Sequence, residues 1–556
     1  MELSDRLIIS KPLYLTEPNE KCGYCSGKKS DKYDYFASES WWKLHEKDAD
    51  MLQINNCTLG LQVELMPVDM YDDLCNLGFR RSGNFLYKAD LLRNCCRLYT
   101  IRTTPDQCQI SKELKTCVTR FRKRITTGAD ETSKQQAKPR DKSTTSTTTQ
   151  LKFDYIQEIV QAELKSNNFF TRFEPAMFTM EKYNLFVKYQ ENVHNDFKNS
   201  IKSFKRFLCE SPFPEDVVIG TQEEWDQLNN WHNMKPGETL KRVGPVHECY
   251  YFENKLIALA VTDFLPSGIS SVYFIWDPDF PRWSLGKLSA LRELSILSKI
   301  NRQYYYLGYY VDDCPKMRYK RKYGGDILDV CNNQYVPLDL VTPLVENGKF
   351  FVLDHEARNR DKDDDEDDDD DDEDDEDDEE SDVVDAQFEL PLDDVSRLKL
   401  TGTPVNIVDK IYGEHGGAIL SANEAVEKLV DLGIEYTPTL FDDLYRYKMP
   451  SIFAAAPEPE ITYEEDDDGD IPGYMNEIYH LPNVVPGLLP LWQILQIIES
   501  GDISRLNNKL MLYNVRSGQI RVVADFAAET KRTKRVICNV IRMIGLKSTA
   551  KSLIII

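Results

Sequence analysis

The chain has 556 residues, 41% hydrophobic and 11% aromatic, enough for two or three domains with sizeable cores, so most of it should fold. No apolar run approaches the roughly 20 residues of a membrane span, and the opening MELSDRLIIS carries no signal-peptide pattern, which points to a cytoplasmic, and also nuclear, protein. A net charge of −25 would argue against nucleic acid if it were spread evenly, but Asp361–Asp382 holds 20 acidic residues against one Lys and leaves only −6 elsewhere.

Residues 1–125 read as a Cys-rich domain. They hold eight of the thirteen cysteines, with Trp41, Trp42, Phe79, Phe85, Tyr87 and Tyr99 available for a core. Without a secretory signal these cysteines read as reduced thiols or metal ligands rather than disulfides. Cys22-Gly-Tyr-Cys25 is a C-x-x-C knuckle, whose spacing lets two thiolates reach one ion and supplies half of a tetrahedral site. His45 is the only histidine of this region, so the other ligands are expected to be thiols, with adjacent Cys95 and Cys96 the candidates. The alternative for that pair is two buried small hydrophobes. Cys57, Cys75, Cys108 and Cys117 read as core cysteines. Residues 126–150 have almost no apolar side chains and read as a disordered linker.

Residues 151–355 hold an apolar helix, Tyr155–Leu164, then a mixed helical region through His194 and Phe207. Two strands follow, His247–Glu253 and Leu256–Leu265, joined by a turn at Asn254–Lys255, with a third at Ser271–Asp277. A helix then opens at Ser284-Leu285-Gly286-Lys287, with Leu285, Leu288, Leu291 and Leu294 along one side, and Tyr304–Val311 returns as a strand. This β-β-β-α-β order is that of the GNAT-like acyltransferase fold, which binds coenzyme A at that helix. A helix start presents unpaired N–H groups to an anion, Ser284 is a candidate N-cap, and Gly286 permits close approach. An ordinary capped helix is the bland alternative. His247, Glu248 and Asp277 are the ionisable groups nearest this element; a core histidine or a turn aspartate would explain them as well. Lys316-Met-Arg-Tyr-Lys-Arg-Lys322 places five cations around Tyr319, which suits phosphate neutralisation with stacking, or a solvated basic face. Lys202–Phe207 and Thr119–Arg124 are weaker patches of the same kind.

Residues 356–398 form an acidic insertion expected to be disordered. In 399–556, the C-terminal part of the catalytic lobe, Asn406–Gly433 reads as helical around a break at Gly413–Gly417. A Pro- and acid-rich loop follows at 454–473, then helices at Leu488–Ile498 and Lys534–Ile544. There is no internal repeat. The expected fold class is mixed α/β (α+β), with an N-terminal Cys-rich metal-binding domain before the acyltransferase-like domain.

Several stretches together resemble the eukaryotic arginyl-tRNA–protein transferases of the N-degron pathway, the fungal branch in particular. They are CGYC, Gly78–Lys88 (GFRRSGNFLYK), Arg93–Arg102 (RNCCRLYTIR), Thr171–Ala176, Phe204–Cys209, Gly244–Tyr251, Leu265–Asp279, Ser284–Glu293, Tyr304–Lys320 and Pro482–Trp492. The acidic tract and the Thr/Ser-rich linker depart from the pattern. The resemblance implies transfer of arginine from Arg-tRNA to the α-amino group of proteins beginning with Asp, Glu or oxidised Cys, with ubiquitin-dependent degradation downstream. It implies that Cys22, Cys25, Cys95 and Cys96 hold zinc or an iron–sulfur cluster, since both accept four thiolates. The aminoacyl-tRNA would contact Ser284, Leu285, Gly286, Lys287, Tyr306, Lys316, Arg318, Tyr319, Lys320 and Lys322. An acidic N-terminal side chain needs a cation, and Arg grips a carboxylate with two hydrogen bonds. Arg80, Arg81, Arg97 and Arg102 are the candidates, unless they pair with Asp72, Asp73 or Asp90 or touch RNA phosphate. Glu248 or Asp277 is expected to orient the amine or the guanidinium. A coenzyme-A-dependent N-acetyltransferase and a non-catalytic N-terminus-binding adaptor are the competing readings; the missing second Gly after Ser284 and the basic surface count against them.

Overall fold

The computed structural model describes residues 5–19, 22–25, 54–91, 94, 96–127, 153–235, 237–346, 350–354, 403–406, 417–439 and 480–556. Trp41, Trp42, Cys95, the linker beyond Thr127, the acidic tract and the 454–473 loop lie outside them. The chain divides into two compact units. One comprises Met1–Ile101, Tyr309–Arg321 and Asp326–Ile556; the other comprises Arg102–Gly308 and Lys322–Gly325.

The first unit opens with β1 (Leu7–Ser10), β2 (Leu13–Asn19) and the long β3 (Ile54–Leu65), which pairs antiparallel with both. Helix α1 (Val68–Asn76) buries Val68, Tyr71, Leu74 and Cys75, a helical spacing that turns one stripe inward. β4 (Arg80–Ser82) and β5 (Phe85–Ala89) form a hairpin whose second strand pairs with β3. β6 (Tyr99–Thr103) is buried along its whole length.

In the second unit, α2 (Lys112–Thr127) reaches two residues into the segment read as linker. α3 (Tyr155–Lys165) starts where Asp154 accepts the N–H groups of Ile156 and Gln157. Then come β7 (Phe169–Pro175), α4 (Met180–Tyr189, capped by Thr179), β8 (Gly244–Phe252), β9 (Lys255–Phe264), β10 (Gly268–Trp276), α5 (Leu285–Leu297) and β11 (Tyr304–Tyr310). The strands pair in that order, antiparallel except β10 with β11, which α5 connects as a parallel crossover. The β8–β9 turn is centred on Glu253-Asn254, one residue earlier than expected. Both have positive φ (50° and 63°), as a two-residue type I′ turn requires, so Lys255 already belongs to the strand. β10 begins at Gly268 rather than Ser271, because a Cβ at Gly268 would stand 1.9 Å from the Tyr304 carbonyl and only glycine admits the parallel neighbour.

Side chains alternate across this sheet. Cys249 and Tyr251 of β8 pack with Leu185, Phe186 and Tyr189 of α4, whereas Tyr250 meets Phe169 and Phe274 and lies under Arg292 of α5. His247 and Glu248 therefore point to opposite faces. α5 is buried on nearly every side: Ser289, Arg292, Glu293 and Ser295 are as enclosed as its leucines.

The chain then returns to the first unit. β12 (Asp326–Asp329) pairs with β13 (Gln334–Pro337), and β14 (Phe351–Asp354) with β15 (Thr403–Asn406), so Asn406 ends a strand instead of opening a helix. Helix α6 runs only from Gly417 to Asp431. α7 (Leu491–Glu499), β16 (Met511–Asn514), β17 (Gln519–Val522), α8 (Lys531–Ala550, kinked at Gly545) and β18 (Ser552–Ile555) complete it. β18 lies parallel to β1 in the register Leu7↔Ser552, giving the sheet order β17-β16-β18-β1-β3-β5-β4. Both ends of the chain thus share one sheet. No helix among the described residues is long and apolar enough to cross a membrane.

Candidate functional site

Cys22 and Cys25 flank the Gly23-Tyr24 turn, and Cys96 comes from the loop before β6. Their Sγ atoms lie within 4.8 Å of one another, with Cys22 and Cys96 3.7 Å apart. Four thiolates ~2.3 Å from one zinc ion stand about 3.8 Å apart along a tetrahedral edge, so this spacing fits shared ligation and is far too long for a disulfide. All three are buried behind Ala89, Leu98, Val311 and Cys314, with Tyr24, Tyr87 and Met317 partly covering them. A dry, all-sulfur donor set suits zinc or an iron–sulfur cluster.

The four candidate arginines, Arg80, Arg81, Arg97 and Arg102, turn inward, each no more than 5% exposed. Arg80 Nη1 donates to the carbonyls of Cys75 (2.8 Å) and Phe79 (2.6 Å), and Arg97 Nη1 to those of Leu91 (2.5 Å) and Asn94 (3.2 Å). Arg81 reaches Gly83 O, and Arg102 lies 3.8 Å over the Tyr304 ring. In this conformation they staple loops, because a guanidinium is enclosed most cheaply against backbone carbonyls and an aromatic face; none of the four is open to a peptide's carboxylate.

The three ionisable candidates of the second unit are likewise engaged. His247 is fully buried; its Nε2 lies 2.8 Å from Leu208 O and its Nδ1 3.0 Å from Lys182 Nζ. A carbonyl can only accept and an ammonium only donate, so the ring is the neutral Nε2–H tautomer. Glu248 Oε1 accepts from Arg292 Nη1 at 2.7 Å, and Arg292 also grips Glu163, which takes His232 at 2.8 Å. Burial raises the Glu248 carboxyl above its ordinary range against the opposing pull of Arg292. Glu163 ends low, at about 2, because Arg292 and His232 outweigh its burial. Asp277 is held between Lys188 (2.5 Å) and Lys255 (2.7 Å), which together overcome burial and keep it below the usual carboxylate range. An acid so held is a weak proton acceptor. The Glu163–Arg292–Glu248 cluster, with Glu293 beside it, was not anticipated; its one signal was that SALRE places Ser289, Arg292 and Glu293 within a turn of each other.

At the start of α5, Ser284 adopts a left-handed backbone (φ 53°) and its side chain caps nothing, which corrects the expected N-cap. Such a conformation in a non-glycine residue is strained, and strain of this kind concentrates at functional sites. Leu285 is buried, and Gly286 is open: a Cβ there would have only Phe274 near it, at 3.9 Å. β10 carries a bulge between Ser271 and Tyr273 and, among the described residues, pairs with β11 only over Gly268–Ser270. Its remaining length is half-exposed from Ser271 to Phe274, and Phe274 is the side chain nearest a Cβ built on Gly286. Tyr306 is fully buried, its hydroxyl 2.9 Å from Ser267 Oγ, so it ties the start of β11 to the turn before β10.

The basic segment is partly neutralised. Lys287 and Lys322 share Glu113, whose carboxyl their hydrogen bonds pull down to about 2. Arg318 pairs with Asp312 and Arg321 with Glu346. Lys320 is buried, donates to Tyr309 O at 2.6 Å, and is lowered by burial to about 7, so it is no part of a phosphate surface. Lys316 is exposed, with no ion pair among the described residues, and Tyr319 is half-buried beside it.

Two family models match: "Arginine-tRNA-protein transferase, N terminus" over residues 20–116 and "Arginine-tRNA-protein transferase, C terminus" over residues 181–329. Arginyl-tRNA–protein transferase 1 of Saccharomyces cerevisiae is 46% identical over 556 residues, covering 100% of this chain and 99% of its own length. Arginyl-tRNA–protein transferase 2 of Arabidopsis thaliana is 36% identical over 191 residues, 33% of this chain and 30% of that protein. The aspartate/glutamate leucyltransferase of Pseudomonas syringae is 27% identical over 284 residues, 50% of this chain and 82% of that protein. A mixed α/β fold with a thiol cluster and these matches define a transferase. The chain belongs to the arginyl-tRNA–protein transferase family.

Proposed function

We propose that this enzyme transfers arginine from Arg-tRNA to the α-amino group of proteins beginning with Asp, Glu or oxidised Cys, in the cytoplasm and also the nucleus. The products would pass to ubiquitin-dependent degradation by the N-degron pathway. The carrying observation is 46% identity to the yeast transferase along the whole chain. The name of the bacterial relative adds support: it specifies aspartate and glutamate, which fits an acidic acceptor with a different acyl group.

In this reading 1–125 is the metal- and substrate-binding domain, 126–150 a linker, 151–355 a GNAT-like catalytic domain, 356–398 an insertion and 399–556 the rest of the catalytic lobe. That β10 pairs with β11, among the described residues, only over Gly268–Ser270 supports the GNAT-like assignment, since the rest of that edge leaves backbone groups along which an acyl chain can lie. The aminoacyl end of the tRNA would enter at Ser284, Leu285, Gly286 and Lys287, with Lys316, Arg318, Tyr319 and Lys322 toward the RNA. Cys22, Cys25, Cys96 and, from the resemblance, Cys95 would hold zinc or an iron–sulfur cluster, which when bound supplies a rigid cross-link for the N-terminal loops.

The reaction is aminolysis of an ester. The acceptor nitrogen attacks the arginyl carbonyl, a peptide bond forms, and the bond to the ribose oxygen breaks; that oxygen leaves as a hydroxyl after the amine loses a proton. On the order of a tenth of an α-amine of pKa about 8 is already neutral at pH 7, so a strong base is not required. Glu248 and His247 act through the sheet as positioning residues, and alignment of amine and ester supplies most of the rate. The test is to incubate the full chain with tRNA carrying labelled arginine and a peptide beginning with Asp. Label in the peptide is expected; transfer from acetyl-coenzyme A instead, or none by folded protein, would reject the reading.

A further inference from the structure

We infer that the first residue of the acceptor protein is read on the α4 side of β10, with Lys205 and Arg206 as the cations for its acidic side chain. The inference deepens the transferase reading and rests on it. All the residues involved belong to the second unit.

The two faces of β10 carry the first argument. Phe274 meets Tyr250 on the side covered by α5 and is the side chain nearest Gly286. Its neighbour Tyr273 points to the opposite side, as strand alternation requires. There its ring meets Phe207 edge-on at 5.0 Å and packs against the core around α4. Both residues stand on the length of β10 that has, among the described residues, no β11 partner. In the proposed function the arginyl ester enters at the α5 start. The attacking amine has to reach the same carbonyl, and a donor lying over the α5 side leaves it the other side of that open edge.

The chain that covers this other side supplies the charge. In Lys198–Arg206 four residues are cationic, Lys198, Lys202, Lys205 and Arg206, and none is acidic. All four are exposed, with no ion pair among the described residues. Asp196, just before them, accepts the Lys198 backbone N–H at 2.9 Å. Lys205 and Arg206 directly precede Phe207, so the ring that touches Tyr273 brings both cations to this side of the strand. The Phe178 ring, 4.9 Å from Lys205 Nζ, steadies that ammonium.

The side chains of Asp, Glu and oxidised Cys share an anionic group of two or three oxygens. A guanidinium fork beside an ammonium grips such a group with charge-assisted hydrogen bonds. The inward-turned Arg80, Arg81, Arg97 and Arg102 leave that role open. Two π-helical turns, Gln190–His194 and Lys205–Cys209, bracket the cationic run, and such turns are rare and frequent at functional sites. Between them Phe197, 72% exposed, offers an apolar surface for the residue that follows the first.

The test uses the full chain with labelled Arg-tRNA. It measures the KM of a peptide beginning with Asp and the inhibition constant of the same peptide beginning with Asn, a neutral isostere. Lys205→Ala combined with Arg206→Ala, both at exposed positions, should raise the KM of the Asp peptide on the order of tenfold, the size of a lost hydrogen bond to a charged group. The inhibition constant of the Asn peptide and the KM for Arg-tRNA should stay unchanged, whereas a structural defect would move all three. Arg206→Lys should keep most of the preference for Asp, and Arg206→Glu should improve use of a Lys-initiated peptide relative to an Asp-initiated one. An unchanged preference for Asp over Asn in the double variant would overturn the inference. So would a raised KM for Arg-tRNA with that preference intact, which would give the surface to the RNA. An unmodified chain that transfers no arginine to the Asp peptide is the separate failure of the transferase reading.

Discussion

Arg292 Nη1 donates to Glu248 Oε1 at 2.7 Å across the boundary between α5 and β8, with side-chain exposures of 0% and 2%. The pair ties the helix that opens the proposed acyl site to the centre of the sheet. Glu163 of α3 grips the same guanidinium from the other side, and Thr171 of β7 adds a bond at 3.3 Å. A cation enclosed this way is neutralised by two carboxylates, so losing it strands buried negative charge.

Replacing Arg292 by Met should therefore destabilise the second unit by about 3–5 kcal/mol, the usual cost of breaking a buried pair from one side. The double change Arg292→Met with Glu248→Gln should recover part of the loss, because one uncompensated charge goes with it. Thermal unfolding of the three proteins measures this; equal midpoints for all of them would mean that the cluster carries no net stabilisation.

Glu293 gives a pH-dependent test. Burial pushes its carboxyl up to about 7, against hydrogen bonds from Tyr305 and Ser289, while the unfolded chain ionises near ~4.3. Between those values the unfolded state releases a proton that the folded state keeps, so stability falls as pH rises from about 4 to 7 and then levels. Glu293→Gln mimics the protonated acid. Its thermal midpoint relative to the unmodified protein should climb over that window and stay flat above it; a difference independent of pH would refute the assignment.

The strands of the second unit were legible because their information is local: aromatic and β-branched runs, a short polar turn, then a leucine-spaced helix. Even the opposite placement of His247 and Glu248 follows from strand alternation. What the sequence could not show were the partners. Glu163 meets Arg292 across 129 positions, and Lys322 meets Glu113 across 209. The basic run therefore looked freer than it is, and the arginines looked more exposed. Leucine spacing identified one buried side of α5 but said nothing of what covers the others. The pairing of β18 with β1 depends on contacts between the chain ends, which no local pattern encodes. For the metal site, C-x-x-C and the adjacent cysteines were visible as residue types, but only folding brings Cys96 to Cys22.

Lys316 and Lys320, four positions apart in the same run, should behave oppositely. Lys316→Ala should weaken tRNA binding and lower its salt slope by about one, as for a single phosphate contact. Lys320 donates to Tyr309 O inside the fold, so Lys320→Ala should lower the thermal midpoint and leave the slope unchanged. Loss of slope in the Lys320 variant alone would place the RNA elsewhere.

For the thiol cluster, Cys22→Ser or Cys96→Ser should release the metal and lower the stability of the first unit, since metal-binding energy becomes folding energy. Cys57 and Cys538 are also buried, but neither is among the three thiols drawn together, so serine there should leave metal content intact. Elemental analysis of the purified variants decides it. Unchanged metal in the Cys22 variant would remove that residue from the site.

Gly286 separates function from folding most cleanly. Its φ is not in the left-handed region, and the nearest atom to a Cβ built there is 3.9 Å away, so nothing in the fold demands glycine. Alanine in a helix is more stable than glycine by roughly 0.5–1 kcal/mol, because it loses less backbone freedom on folding. If Gly286 were only structural, Gly286→Ala should stabilise the second unit slightly and leave activity alone. If the arginyl ester lies against this turn, the added methyl occupies space that the ester needs. The expected result is a thermal midpoint equal or higher, a KM for Arg-tRNA raised several-fold, and a peptide KM unchanged. Ser284→Gly should relieve the left-handed strain at the preceding turn and also raise the midpoint, without adding bulk. Its KM for Arg-tRNA should move less than that of the alanine variant. Equal KM values for Arg-tRNA in the unmodified and Gly286→Ala proteins would move the acyl site away from the start of α5.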